Sequence, residues 1–235
     1  MLYRLAESDL RTVVELDPRN AKGWWALSML LRRKGSFAEA KVAARNALQA
    51  DAFLDVPVEA LFALYQTSLD QEEVAEARDW CAWIHEMHPE SMRWVQCELQ
   101  LMASDGLPPD VDRSWALVDS IGARSEEERA SILRAWATIY VAKVLALNGM
   151  ADSSRAVLEA VVPEPPPEWA SYDAAHAYLM LGDYDRALEM LEYRVRQAPS
   201  QAGSLASDWW FRPLHGDPRL ERLIRVATEA GAPAR

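Results

Sequence analysis

The sequence predicts an all-α protein, a right-handed α-solenoid of antiparallel helix hairpins, and three observations predict it. Between Ala21 and Asp51 apolar residues recur at helical spacing on both sides of Gly35, so two short amphipathic helices meet at a tight turn. The same pattern returns from about Glu168 to Gln201, with Gly182 at the turn and Ala187 behind it. Small residues, taken as equivalent at Ala6, Ala40, Ala77, Ala116, Ser154 and Ala187, follow one another at 34, 37, 39, 38 and 33 residues. A recurring period of that length is the signature of stacked supersecondary units that bury their apolar faces on their neighbours.

Each element follows from this period. Residues 1–20 read as half a unit, a second helix carrying Ala6, Leu10 and Val13 and ending at Asp17-Pro18. Its apolar side predicts an upstream domain or a partner packed over Leu2, Leu5, Leu10 and Val14, because each exposed Leu forgoes roughly 1.5–3 kcal/mol of burial. Five hairpins then occupy about 21–54, 58–91, 92–123, 125–166 and 168–201. The second carries Leu61, Leu64 and Tyr65 in its first helix, and the third has a long turn, SDGLPPD. The fourth turns at Gly149 and closes on a proline-rich connector. Residues 202–235 form a capping segment, in which Asp217-Pro218 starts a helix striped with Leu220, Leu223, Ile224 and Ala227.

The unit resembles the tetratricopeptide repeat (TPR) residue by residue. In the first full copy Trp24, Leu27, Ser28, Leu31, Gly35, Ala40 and Ala47 fall on that repeat's signature positions. The ending WWFRPLHGDPRLERLIRVA is similar to the close of bacterial TPR regions fused to kinase or DNA-binding domains. The resemblance implies a non-catalytic protein-interaction or scaffold module that binds an apolar or amphipathic peptide in a concave groove. A second implication is a regulatory or sensory half of a larger bacterial signalling protein.

By the same resemblance the first helices line the groove. Its candidate residues are Trp25, Met29, Arg32 and Arg33 in the first copy, Phe62 and Gln66 in the second, and Leu99 in the third. Trp136 and Ile139 follow in the fourth copy, and Tyr172 and His176 in the last. Chaperone-binding members of the family hold a carboxylate with Lys and Asn, and Trp25 and Met29 stand at those positions, so no such clamp is expected. Such a lining suits an amphipathic helix, with Arg32 and Arg33 pairing its acids. The alternative is that Trp209, Trp210 and Phe211 of the chain's own end cover it.

Composition narrows the function classes. The 235 residues are 50% apolar and 26% charged, with nine glycines and two cysteines, as in a soluble globular chain. Against 25 basic side chains stand 36 acidic ones, a net charge of −11, which disfavours nucleic acid or an anionic membrane as partner. Apolar runs are short and the start carries no secretory pattern, so a cytoplasmic home is expected. No nucleotide-binding, serine-hydrolase or HExxH motif occurs, so neither an enzyme nor a cofactor is expected. Cys81, His85 and His88 share a helix face, with Cys97 on the next helix. A zinc site is sterically conceivable there, yet buried separate core thiols are expected instead of a metal. Trp80, Trp83 and Met87 point to the outer face by strict register, and a shift of one residue would bury them.

Overall fold

The computed structural model describes residues 2–50, 57–104, 106–123, 127–197, 205–206 and 208–230. Among these all regular structure is helical: α1 Leu2–Leu16, α2 Ala21–Arg33, α3 Phe37–Ala50, α4 Pro57–Asp70, α5 Val74–Met87 and α6 Met92–Met102. There follow α7 Val111–Ser120, α8 Glu127–Leu147, α9 Ala151–Val161, α10 Glu168–Met180, α11 Tyr184–Gln197, a 3-10 segment Trp209–Leu214, and α12 Pro218–Ala230. The chain divides within α6 into two compact units, residues 1–97 and 98–232.

The hairpin turns share one hydrogen-bond pattern. After α2, α4, α8 and α10 an N–H reaches back five residues to a carbonyl: Ser36 to Leu31, Glu73 to Ser68, Met150 to Leu145 and Asp183 to Tyr178, all at 2.9–3.0 Å. Such a turn needs one residue at positive φ. Gly35, Gly149 and Gly182 supply it at 73° to 76°, whereas the second hairpin uses Glu72 at 60°. At its start, α2 is capped by Asn20, whose Oδ1 accepts from the Gly23 N–H at 2.8 Å.

In the first unit α2 packs on α3, α4 on α5 and α3 on α4, with α1 against α2. The contact surfaces are made by small residues: Ala40, Ala44, Ala47, Ala60 and Ala77 are each wholly buried. A methyl there lets helix axes approach, so a larger side chain would overpack the contact. Val14 packs in a core with Leu27, Leu31, Ala40 and Ala43, and Leu10 and Trp24 lie against it. This corrects the expectation that Leu10 and Val14 await a partner: they face α2, while Leu5, as expected, is exposed, and so among the described residues are the large apolar side chains Val13 and Leu16. The side chain of Leu2 lies outside the described residues. Ion pairs flank this core: Lys41 bonds to Glu73 and, at 2.5 Å, to Glu76. Burial raises the Glu76 carboxyl, but its bonds from Lys41 outweigh that and hold it at about 2.

In the second unit α8 is central, packing on α7, α9 and α10, while α10 packs on α11 and α11 on α12. Ala174, Ala175, Ala177, Leu158, Ala187 and Leu191 form its wholly buried core, closed by Phe211, Leu214 and Leu220. Ser154 is the small residue of α9, and its hydroxyl donates to the Ala142 carbonyl of α8 at 2.7 Å. In α7 that role belongs to Ser114, wholly buried, while Ala116 is exposed, as is Ala6 in α1. The period inferred through Ala6 and Ala116 is corrected accordingly. Residues 129–147 of α8 have a mean hydropathy of 1.4 and are, among the described residues, long and apolar enough to cross a membrane by composition alone. Half of that stretch is buried inside the protein.

Candidate functional site

In the first unit, polar side chains on successive first helices meet across one repeat. Arg32 of α2 donates through Nε to Asp70 Oδ2 at 2.6 Å and through Nη1 to Gln66 Oε1 of α4 at 3.2 Å. One repeat further on, Arg93 of α6 grips Glu59 of α4 with two bonds, at 3.0 and 2.7 Å, and also donates to Gln96. Successive first helices of this unit are therefore tied by a ladder of paired charges. Trp25 and Met29 sit beside it, half-buried against Ala44, Ala63 and Leu64. The indole Nε1 of Trp25 is buried without a hydrogen-bond partner. Arg33, at the end of α2, is exposed.

Phe62, by contrast, lies under this ladder. It is 6% exposed, stacks on Tyr65 at 5.4 Å, and the Arg93 guanidinium covers its ring at 4.6 Å. Tyr65 donates its hydroxyl to the Cys97 carbonyl, and burial pushes its pKa well up.

In the second unit a buried polar network converges on Asp173 of α10. This carboxylate accepts from three side chains of α8: Tyr140 OH at 2.6 Å, Lys143 Nζ at 2.9 Å and Trp136 Nε1 at 3.0 Å. Lys143 is 1% exposed and lies 3.9 Å from the centre of the Tyr140 ring. Burial pulls its pKa below the ordinary 10.5, and Asp173 opposes that fall. Next to it His176 is buried, and desolvation, aided by the Lys143 charge, holds its imidazole well below 6.5. Gln100 of α6 extends the network by donating to Tyr140 OH at 3.3 Å.

The chain's own end closes this face. Tyr172 donates its hydroxyl to Asp208, the Trp210 ring meets His176 edge-on at 4.2 Å, and Phe211 meets Tyr172 at 5.2 Å. Of the two alternatives left by the sequence, coverage by Trp210 and Phe211 is thus the one found around Tyr172 and His176. Leu99 and Ile139 are wholly buried and present no surface to a ligand. The side chains that make polar contacts with neighbouring helices are instead Arg93 and Gln100 in α6, and Trp136, Tyr140 and Lys143 in α8. Leu99 and Ile139 are apolar members of the candidate set, and in α6 and α8 the apolar stripe is the packing side.

Elsewhere Cys81 and Cys97 are joined in a disulfide, with Cα atoms 5.8 Å apart. This corrects the expectation of two separate thiols. A disulfide is the usual mark of an oxidising compartment, a feature the cytoplasmic expectation did not include. His85 stacks on Trp94 at 4.6 Å, and among the described residues no three His, Cys, Asp or Glu side chains are grouped to hold a metal. On the outer face Trp83 and Met87 are 45% and 58% exposed, as strict register requires, and Trp80 stacks on Trp83. A shallow polar pocket between α9 and α11 is lined by Arg155, Leu181, Gly182, Asp183, Tyr184 and Asp185. Its charged side chains are already paired, Arg155 with Asp183 at 2.7 Å and Asp185 with Arg219 at 2.5 Å.

No family model and no curated protein sequence matches the chain. Its fold does match solved structures. A thermophilic TPR protein of Thermus thermophilus superposes with a TM-score of 0.54 at 21% identity, over 89% of this chain and 99% of that one. A tetratricopeptide repeat protein of Parabacteroides merdae gives 0.53 at 16% identity, over 94% of this chain and 91% of that one. With the hairpin geometry these likenesses define the class: the chain has the all-α fold of tetratricopeptide-repeat proteins.

Proposed function

We propose that this protein is a non-catalytic interaction module that captures a peptide segment of another protein on the inner face of its first unit. The observation that supports the reading is the cross-repeat pairing there, Arg32 with Gln66 and Arg93 with Glu59, beside which Trp25 and Met29 lie half-buried and Arg33 lies exposed. Trp25 and Met29 offer half-buried apolar area, and aromatic and Arg side chains are those most often found to anchor interfaces. The orphaned Trp25 Nε1 adds a donor whose unmade bond costs about 1–3 kcal/mol and which a partner's carbonyl would satisfy. Arg33 is placed to pair with an acid of the incoming segment, so the ligand class is an amphipathic peptide with an acidic end. We also read 21–201 as five repeats, 1–20 as half a repeat and 202–235 as the cap.

Selection from a displayed random-peptide library on the immobilised full chain tests this reading. Selected peptides should bind Arg33→Glu and Trp25→Ala at least about tenfold more weakly than the unaltered chain, a loss of about 1.4 kcal/mol. Arg33 is exposed, so its substitution leaves the fold intact. Peptides indifferent to both changes but lost on Trp83→Ala would place capture on the outer face and refute the assignment.

A further inference from the structure

We propose that Asp208–Leu214 is an intramolecular ligand of the second unit, and that its inner face takes in exchange a partner segment with a carboxylate just ahead of paired aromatic rings. The inference rests on the inner-face reading above and gives it a second site, a ligand chemistry and a self-occupied state.

Three features make the segment a ligand in kind. Its acid is recognised: Asp208 accepts from the Tyr172 hydroxyl, and its charge acts on the buried Lys143. Its rings are recognised: Trp210 lies edge-on to His176 at 4.2 Å with the Lys143 ammonium 5.8 Å from its ring centre, and Phe211 meets Tyr172 at 5.2 Å. Its backbone is pre-shaped, because Asp208 Oδ1 also accepts from the Trp210 N–H at 3.1 Å and bends the chain into the 3-10 turn that follows. Acid, bend and rings are contiguous in sequence, so any chain carrying them in that order presents the same groups to Lys143, Tyr172 and His176.

The segment also carries a defect that makes exchange feasible. Trp209 stacks on Trp210 at 4.0 Å, yet its indole Nε1 is buried with no hydrogen-bond partner. A buried donor left unmade is a standing cost that a competing segment need not bear. Being tethered, the internal segment acts at a high effective concentration, so an outside segment meets an affinity reduced by the fraction of molecules in which the face is open.

The test uses the full chain and a labelled synthetic peptide of the sequence Leu-Ala-Ser-Asp-Trp-Trp-Phe-Arg-Pro-Leu-His-Gly, read by fluorescence anisotropy. The double substitution Asp208→Asn with Trp210→Ala weakens the internal ligand and leaves the face intact, so the peptide should bind it at least about tenfold more tightly than the unaltered chain. The isosteric Asp208→Asn alone, which keeps every ring, should move affinity the same way by about threefold. A peptide with Asn for its Asp and Ala for its second Trp should bind the double variant about tenfold more weakly. Equal peptide affinity for all three proteins, or none for a variant whose helicity is unchanged, overturns the proposal. So does a peptide-independent dimer on size exclusion, which would assign the face to the segment of a second copy. The outcome is independent of Arg33 and Trp25, so this inference and the first-unit reading fail separately.

Discussion

Asp173→Asn removes one negative charge from the centre of the second unit and changes almost no volume. Lys143, 1% exposed and 2.9 Å from that carboxylate, then loses its nearest counter-charge. At the effective dielectric of about 20 that suits protein sites, the direct attraction at this distance is about 6 kcal/mol. The protein need not bear all of it, because Lys143 can shed its proton. Neutralising a side chain of ordinary pKa 10.5 at pH 7 costs at most about 5 kcal/mol, so the loss is capped there. Breaking a buried pair by removing one partner typically costs about 3–5 kcal/mol, and we expect about 4 kcal/mol here. The neutral amide still offers an oxygen to Tyr140 or Trp136, so the deficit belongs mainly to the stranded ammonium. Two consequences separate this from general damage. Between pH 7 and 10 the deficit should shrink by up to about 1.4 kcal/mol per unit, since deprotonation becomes cheaper. Adding Lys143→Met should restore more than half of the loss, a coupling that a double-mutant cycle by urea denaturation measures directly. A deficit below about 1 kcal/mol, or a double variant no better than the single one, would refute the reasoning.

Three further outcomes are expected. Glu72→Gly should stabilise the first unit by about 1 kcal/mol, because Glu72 holds a φ of 60° where the turns after α2, α8 and α10 use glycine; destabilisation in urea would contradict the shared turn geometry. His176 is neutral in the folded protein and its pKa is depressed below 6.5, so the unfolded chain takes up a proton first as pH falls. Stability present above pH 6.5 is therefore lost on acidification, at up to about 1.4 kcal/mol per unit until the folded value is reached, and His176→Gln should flatten that part of the stability profile. Reducing the Cys81–Cys97 disulfide, which closes a loop of sequence separation 16, should cost about 3 kcal/mol in denaturation with and without reductant, and unchanged stability would contradict a bonded pair.

Much of the fold was legible because glycine and alanine mark backbone geometry directly. Gly35 and Gly182 sit at positive φ in the turns read from the sequence, and Ala40 and Ala187 are wholly buried at the contacts they were expected to make. Where the marker was a different residue the reading slipped. Glu72 adopts the turn conformation without a glycine to announce it, and Ser114 replaces Ala116 as the small buried residue, behind a turn lengthened by residues 104–110. The inner face was harder, because its residues are defined by partners a repeat away. Arg93 gains meaning from Glu59, and Asp173 from Trp136, Tyr140 and Lys143, none of which a local apolar pattern reveals. Leu99 and Ile139, candidates by position along their helices, lie instead in the core. The disulfide was hidden for a related reason: sequence spacing does not say that two Cα atoms lie 5.8 Å apart.

The central claim is that a partner segment is captured on the inner face of the first unit. Amide and side-chain chemical shifts of the labelled full chain, recorded as a library-selected peptide is titrated in, test it most directly. The account predicts that the largest changes fall on Trp25 Nε1, Met29, Arg33 and Gln66. Changes concentrated instead on Trp80, Trp83 and Met87 would contradict it.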